Sequence, residues 1–415
     1  MNIHALEPSP ADDDAQAALI GLAPLMRQAF SGIDLKPLGT RLIERAALHP
    51  NDAHTLMDLS TTLQLTGNRD IALATQAQAL DIQRLYHIPT APGEVAIRLL
   101  AIMAPGDLMA NTPLEFLLEN SDVALDILYV VPNTPFPEFV PDHDVLFMAI
   151  GESDQNRALL ALMDGIVKTW PRPVLNAPER IASLSRNLAC GLLASAPGVD
   201  MPISARIARQ ALDQIGREDI AITTILDDGR FPIIVRPVGS HAGQGLDRLD
   251  TASAVADYLE GMPHAEFYVA RFVDYRSADG LFRKYRIILI DGRPFVCHMG
   301  ISQHWMIHYL NAGMAECPEK RDEEARFMAS FDDDFARRHA TAFRAITERL
   351  GLDYVGIDCA ETLDGELLIF EVDSDMIVHA MDPVDLFPYK QPQMRKLFDA
   401  FRALLAKAAM RGAPC

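Results

Sequence analysis

The sequence predicts an α/β (α+β) chain of several domains preceded by an all-α segment, on three observations. Apolar residues recur at helical spacing from Ala15 to Tyr86. From Val95 onward, short apolar runs alternate with helical stretches, the pattern of a parallel sheet with crossover helices. Near the C-terminal end, LDYVGIDCAETLDGELLIFEVDSDM (352–376) reads as two strands around Asp364-Gly365, a strong two-residue turn signal. With that turn at the tip, Asp358 falls directly opposite Glu371. Side chains alternate along a strand, so Asp373 shares the face of Glu371. Three carboxylates then crowd one face, while Val355, Ile357, Leu368, Phe370 and Val372 cover the other. Like charges opposed across a ladder repel, and a hard cation between them relieves the repulsion. Oxygen-only ligands suit magnesium shared with substrate phosphates. The plainer reading is a wet hairpin face that carries acids by chance.

An Asp on one strand, a glycine-bearing turn and an acid-x-acid on the next strand resembles the metal-binding hairpin of the ATP-grasp ligases. These include D-alanine–D-alanine ligase, glutathione synthetase and the RimK-type glutamate ligases. VGID (355–358) is most similar to the RimK-type version. The family has Asn where this chain has Asp373, and DSDMIVHAMDP (373–383) lacks the usual Ser-Pro-Gly. The resemblance spans residues of roughly 95–405. It implies ATP as cofactor, with one or two Mg²⁺ ions (or Mn²⁺) on Asp358, Glu371 and Asp373. The acceptor substrate does not carry over.

Composition excludes several function classes. The chain has 415 residues and a formal net charge of −20, with a pI near 4.9. Nonspecific binding to nucleic acid or to acidic membranes needs basic patches and is disfavoured. The five cysteines (190, 297, 317, 359, 415) are scattered and form no CxxC, so reduced thiols are expected and no disulfide framework. MNIHALEPSPADDD has neither the basic start nor the apolar run of a signal peptide. A cytoplasmic protein is expected.

In chain order, residues 1–14 read as a disordered leader. Residues 15–88 form a helical domain in which Thr66-Gly67-Asn68 separates two amphipathic helices. That pair resembles a tetratricopeptide hairpin; it is equally read as a helical cap on the enzyme, since a solenoid needs about three repeats. The break at Ile88–Gly93 makes this part a separable domain. Residues 93–195 form a small parallel α/β domain with strands at 95–103, 125–131 and 145–150 and a helix at 155–169. Such a domain precedes the nucleotide-binding region in many ATP-grasp enzymes. The loop after its first strand holds Asn111 and Thr112, candidate substrate contacts, because open α/β sheets bind ligands at their carboxyl ends. Thr112 is also read as a helix cap. Residues 196–415 are the ATP-grasp domain, divided near 275 into nucleotide and metal subdomains.

FPIIVRPVGSHAGQGL (231–246) is an apolar strand running into a loop with Gly239, Ser240, His241, Gly243, Gln244 and Gly245. Glycines let backbone N–H groups approach phosphate oxygens. The loop is neither GxGxxG nor GxxxxGK[ST]. It resembles the flexible glycine loop of the ATP-grasp fold, with Arg236 in place of a phosphate-binding Lys. Arg186, on a helix after Pro178, matches a second phosphate-side cation; an exposed helix Arg is the alternative. In EFYVARFVDY (266–275) the resemblance makes Ala270, Arg271, Phe272 and Val273 the adenine-contacting hinge. Asp274 or Asp279 would hold a ribose hydroxyl, or be a solvated loop acid. Lys284 and Arg286 share a strand face, and Arg286 is the better match to a phosphate-binding residue. His298, His304, His308 and Asn311 lie where related ligases position substrate, and His379 follows the hairpin. His304 and His308 would share a helix face, but without a third ligand at a known spacing zinc is disfavoured.

The resemblance implies an ADP-forming carboxylate–amine ligase acting through an acyl phosphate on an amino acid or peptide-like substrate. Its partners would be a small-molecule carboxylate and an amine, or a peptide, with no nucleic acid and no membrane; a homodimer is allowed. An ATP-grasp kinase with an alcohol acceptor is one alternative. A tetratricopeptide-type adaptor with a nucleotide-binding but inactive domain is the other.

Overall fold

The computed structural model describes residues 17–88, 95–240 and 243–412. The leader 1–14, most of the 88–93 linker and His241 lie outside the described residues. Four helices open the chain: Leu22–Phe30, Lys36–Leu48, Ala53–Leu65 and Arg69–Ile82. Asp52 caps the third by accepting from the Thr55 amide at 3.1 Å. Gly67, at φ 82°, lets the chain reverse into the fourth.

The all-α segment is shorter than predicted. Leu85–Ile88 is a strand, paired antiparallel with Val123–Tyr129. Tyr86 is its one fully buried side chain, so no period-two pattern marked it; the open edge of a sheet built later in the chain decided it. That sheet runs in the order Leu85–Ile88, Val123–Tyr129, Ile97–Met103, Val145–Met148, Val174–Leu175. All its pairs but the first are parallel. The loop after the first parallel strand leads into a single helical turn, Leu114–Leu117, behind Pro113.

Two further sheets frame the rest. A four-stranded antiparallel sheet runs Ser204–Ala208, Glu266–Arg271, Ile233–Pro237, Asp247–Leu249. A five-stranded sheet runs Arg293–Ser302, Phe282–Ile290, Tyr354–Glu361, Leu367–Asp373, Val199–Asp200. Asp291 and Gly292, at φ 49° and 76°, make the two-residue turn between Phe282–Ile290 and Arg293–Ser302.

The helical segment is a layer of the core. One apolar cluster joins Leu19, Leu56, Leu80 and Tyr86 to Leu99, Leu125 and Phe147 of the first sheet and to Phe401 and Leu405 of the closing helix Lys390–Gly412. The first helix is also tied by polar contacts. Buried Asp58 accepts from the amides of Ile20 (2.8 Å) and Gly21 (3.0 Å). Glu115, from the Leu114–Leu117 turn, accepts from the Ala23 amide at 2.9 Å. Burial pushes the Asp58 carboxyl up to about 6 and that of Glu115 up to about 7. The break at 88 is therefore a break in sequence only.

A chain truncated at residue 92 would lose one side of this cluster and the edge strand. It should be insoluble, or should melt without a cooperative transition by circular dichroism. A cooperative melt matching that of the full chain would show the helical segment to be separable after all.

Candidate active site

A cleft of about 830 Å³ opens between the four-stranded sheet and the hairpin face of the five-stranded sheet. On one wall Ile234 and Arg236 alternate with the buried Ile233, Val235 and Pro237. Their register partners Ala270 and Tyr268 extend the same face. The opposite wall carries Lys284, Arg286, Asp358, Glu371 and Asp373.

The hairpin register matches the prediction for a different reason. The tip is wider than two residues: Glu361 pairs with Leu367, and the Gly365 amide donates to the Thr362 carbonyl at 3.0 Å. The ladder then slips at Phe370, between Cys359↔Ile369 and Asp358↔Glu371. The two offsets cancel, so Asp358 does face Glu371 and Gly356 faces Asp373. The bulge brings Phe370, assigned from alternation to the covered face, into the cleft lining, where its ring packs 5.0 Å from Tyr275.

Asp358 is 2 % exposed. Arg286 grips it through Nε (2.8 Å) and Nη2 (3.0 Å), and Lys284 Nζ lies 2.7 Å away. Burial alone would raise this carboxyl; the two cations outweigh burial and hold it far below the usual carboxylate range. Arg186 opens the helix Arg186–Leu193 and donates to Glu371 and, at 3.1 Å, to the Phe370 carbonyl. Asp373 interacts with Asp375, whose amide donates to it at 3.3 Å. Burial pushes both carboxyls up, repulsion from Glu371 adds to each, and Asp375, repelled by Asp373 as well, moves the further. A Cβ on Gly151 would fall 1.9 Å from Asp375 Oδ2, so this pair fits only against glycine. Glu152, next to it in sequence, is pushed up to about 7 by burial and by Asp373. Sequence patterning flagged neither Glu152 nor Asp375.

In this structure the three carboxylates are not gathered into one group. Among the described residues no three His, Cys, Asp or Glu side chains form a group able to hold a metal ion. Both oxygens of Asp358 are engaged by Lys284 and Arg286, which makes it their counter-ion. Glu371 and Asp373 remain, and they fit the shell of a magnesium ion shared with phosphates, which uses one or two carboxylates.

Arg236 differs from the other cations of the cleft. Its guanidinium donates to the Ser240 carbonyl and, at 3.3 Å, to Ser240 Oγ. It has no carboxylate partner among the described residues. Burial and nearby Arg186 push it down to about 10. The described part of the glycine loop lines the cleft at Gly243. Gly243, at φ 73°, comes so near His308 that a Cβ there would lie 2.3 Å from Nε2. That nitrogen is buried and has no hydrogen-bond partner among the described residues. Gly239 and Gly245 also have positive φ, and Tyr258 Oη donates to the Gly245 carbonyl at 2.7 Å. Gln244 is described in a turn between Gly243 and Gly245.

The hinge segment lines the cleft from Ala270 to Val273. Arg271 spends its side chain on Asp200 and Asp228, leaving backbone as its contribution. Phe272 packs 5.8 Å from Trp305 and lies under Arg248. Asp274 and Asp279 do not line the cleft; they pair with Arg276 and Arg283. Asn111 and Thr112 are also outside it. Asn111 holds both the Ala104 amide (2.7 Å) and its carbonyl (2.8 Å), and buried Thr112 Oγ1 donates to the Ser374 carbonyl at 2.9 Å. Both residues are used internally: Asn111 closes its own loop, and Thr112 pins the α/β layer to the chain after the hairpin. His298, His308, Asn311 and His379 line the cleft, whereas His304 is exposed. His304 and His308 sit in an irregular segment and share no helix face. His298 stacks on Tyr309 at 4.5 Å, and burial keeps it neutral.

No protein-family model and no curated protein matches the chain. Solved structures do. The similarity is to ATP-grasp and D-alanine ligase structures. The D-alanine–D-alanine ligase of Coxiella burnetii aligns over 76 % of this chain and 96 % of its own, with 10 % identity and a TM-score of 0.47. VanG D-Ala:D-Ser ligase of Enterococcus faecalis aligns over 74 % and 99 %, with 13 % identity and a TM-score of 0.45. A RimK domain ATP-grasp protein of Sphaerobacter thermophilus aligns over 75 % and 99 %, with 15 % identity and a TM-score of 0.41. No helix among the described residues is long and apolar enough to cross a membrane.

Replacing Asp358 by Asn leaves two cations facing each other without their counter-ion. Breaking a buried pair of this kind costs about 3–5 kcal/mol, measurable as a lowered urea midpoint. The folded carboxyl is depressed, so its contribution is present above the unfolded value and lost only as pH falls through the folded one. The difference between wild type and variant should therefore be constant from pH 5 to pH 8.

Proposed function

We propose that the protein is an ATP-dependent carboxylate–amine ligase that proceeds through an acyl phosphate. The observation that carries this reading is Arg236: a partly buried cation without a carboxylate partner among the described residues, placed beside Arg186 and under a glycine loop. Two neighbouring cations of this kind favour a polyanion, and loop amides add donors without adding charge. The aromatic and aliphatic slot between Ile234, Phe272 and Trp305 suits a planar base. Together these features match a nucleoside triphosphate, with its base at the hinge and its phosphates running toward Arg286.

In the reaction, a substrate carboxylate oxygen bonds to the γ-phosphorus as the bond to ADP breaks. An amine nitrogen then attacks the acyl carbon, phosphate leaves, and the amine loses its proton. Arg236, Arg186, Lys284 and Arg286 would hold phosphate oxygens and stabilise the charge that moves between them. Arg286 is preorganised for this by its two hydrogen bonds to Asp358, and three of its five donors are in use, two on Asp358 and one on the Ile377 carbonyl. Glu371 and Asp373 would hold the divalent cation, whose contribution is to neutralise phosphate charge. No side chain is assigned as a general base; positioning supplies most of the rate.

The decisive assay couples ADP release to mass spectrometry of products across pairs of amino acids and short peptides. Free phosphate with a condensed product is expected. A stable phosphorylated product would make the protein a kinase, and ATP binding without any turnover would make it an adaptor.

Arg236→Ala should weaken ATP binding by at least tenfold in calorimetry, and Arg236→Lys should retain part of it. Unchanged affinity in Arg236→Ala would remove the phosphate assignment. Asp373→Asn should keep turnover while raising the Mg²⁺ concentration needed for half-maximal rate at saturating ATP. An unchanged requirement would take Asp373 out of the metal shell.

A further inference from the structure

Beyond Arg286 the cleft changes character. Its lining there is Met26 and Phe30 of the first helix, Met109 of the loop after the first sheet strand, and Met376, Ile377 and Met381 of the chain after the hairpin. We propose that this end of the cleft binds the carbon chain of an apolar carboxylic acid at least as bulky as a leucine side chain, with Met26 and Phe30 setting its size. The proposal rests on the ligase reading for its chemistry, since the acid would be the carboxylate substrate.

Charge selects the occupant. At the inner boundary Arg286 Nη1 donates to the Ile377 carbonyl at 3.3 Å, so a guanidinium with unused donors stands where the apolar lining begins. Lys284 lines the cleft on the same strand face. Of the acids that line the cleft, Asp358 and Glu371 are paired with Arg286, Lys284 and Arg186, Asp373 lies against Asp375, and Asp382 is paired with Lys390. Asp382 is 3.1 Å from Lys390 Nζ, which also approaches Glu324 and lies over the Tyr309 ring. His379 is held neutral by burial, pushed down to about 4, and its ring meets Phe30 edge-on at 5.2 Å. A molecule with an anionic head and an uncharged apolar body fits this sequence of surfaces; a cationic amine does not.

The wall is built rather than incidental. The carboxyls of Asp58 and Glu115 hold the start of the first helix. Met26, with Leu22 and Ile377, packs against a small cluster of Ala23, Phe116 and Met381. Phe30 is nevertheless 37 % exposed, a large aromatic ring left open at the mouth of a cleft. Methionine side chains are unbranched and adapt to differently shaped apolar groups, so the pocket should discriminate by length and bulk more than by exact shape. The sequence of this segment is also where the resemblance to ATP-grasp ligases stops, in DSDMIVHAMDP.

The test is calorimetric titration of the full-length protein with acetate, butyrate, hexanoate and hexylamine, with and without a non-hydrolysable ATP analogue. Affinity should rise roughly fourfold per added methylene, the equivalent of one buried CH₂, and hexylamine should not compete. Phe30→Ala and Met26→Ala should weaken hexanoate several-fold and leave acetate unchanged. Met26→Trp, which fills the pocket, should exclude hexanoate while acetate still binds; Phe30→Leu serves if Phe30→Ala does not fold. Affinity independent of chain length, or hexylamine binding as well as hexanoate, would overturn the proposal. A parallel assay with ATP and hydroxylamine separates the two readings. Chain-length-dependent binding with no ADP release and no hydroxamate would sink the ligase and keep the pocket. Hydroxamate formed equally from every acid would keep the ligase and sink the pocket.

Discussion

Asp358 carries a negative charge into an almost dry position between two sheet strands and meets the positive charges of Arg286 and Lys284 there. Neither sign is tolerable alone at that depth, because an unpaired buried ion costs several kcal/mol. The pairing therefore fixes three side chains at once. It sets Arg286 in a fork geometry with donors to spare, fixes Lys284 beside it, and holds the central hairpin in register with its neighbour. The cleft is organised outward from that triad. Arg186 reaches Glu371 from a helix in another part of the chain, and Arg236 approaches from the facing sheet. One cation in this ring, Arg236, lacks a carboxylate among the described residues, and the proposed phosphate site rests on that imbalance.

The acids divide along the same line. Asp358 and Glu371 are held as anions by cations. Asp373, Asp375 and Glu152, farther from them, are pushed toward the protonated state by burial and by one another. A divalent cation bound with phosphates would reverse that balance locally, turning mutual repulsion into shared attraction.

The N-terminal helices affect both stability and the site. Their shared cluster with the first sheet and the closing helix makes them part of one core. Their first member also reaches the far end of the cleft. An element with no resemblance to the nucleotide-binding region thus supplies two of the side chains that shape its apolar end.

Much was legible from local chemistry. The opposition of Asp358 and Glu371 follows from alternation and a glycine turn; Lys284 and Arg286 share a face because they are two residues apart; Gly243 and Gly245 mark a loop with positive φ. These are short-range consequences of backbone geometry, and sequence determines such features by itself. The wider tip and the Phe370 bulge were not visible, because a ladder absorbs an extra residue wherever its neighbours allow. The strand at Leu85–Ile88 was missed because a vacant sheet edge created it, not its own pattern. Asn111 and Thr112 looked like substrate contacts because loop position alone does not reveal that their polar groups are already spent across the chain, on Ala104 and Ser374. The double engagement of Asp358 by Lys284 and Arg286 was not visible either, because its strand gives no sign of which cations will reach it. Tertiary structure decided these matters: a charge or a hydrogen-bonding group has a role only once its partners are fixed, and here the partners lie as far apart in sequence as residues 112 and 374.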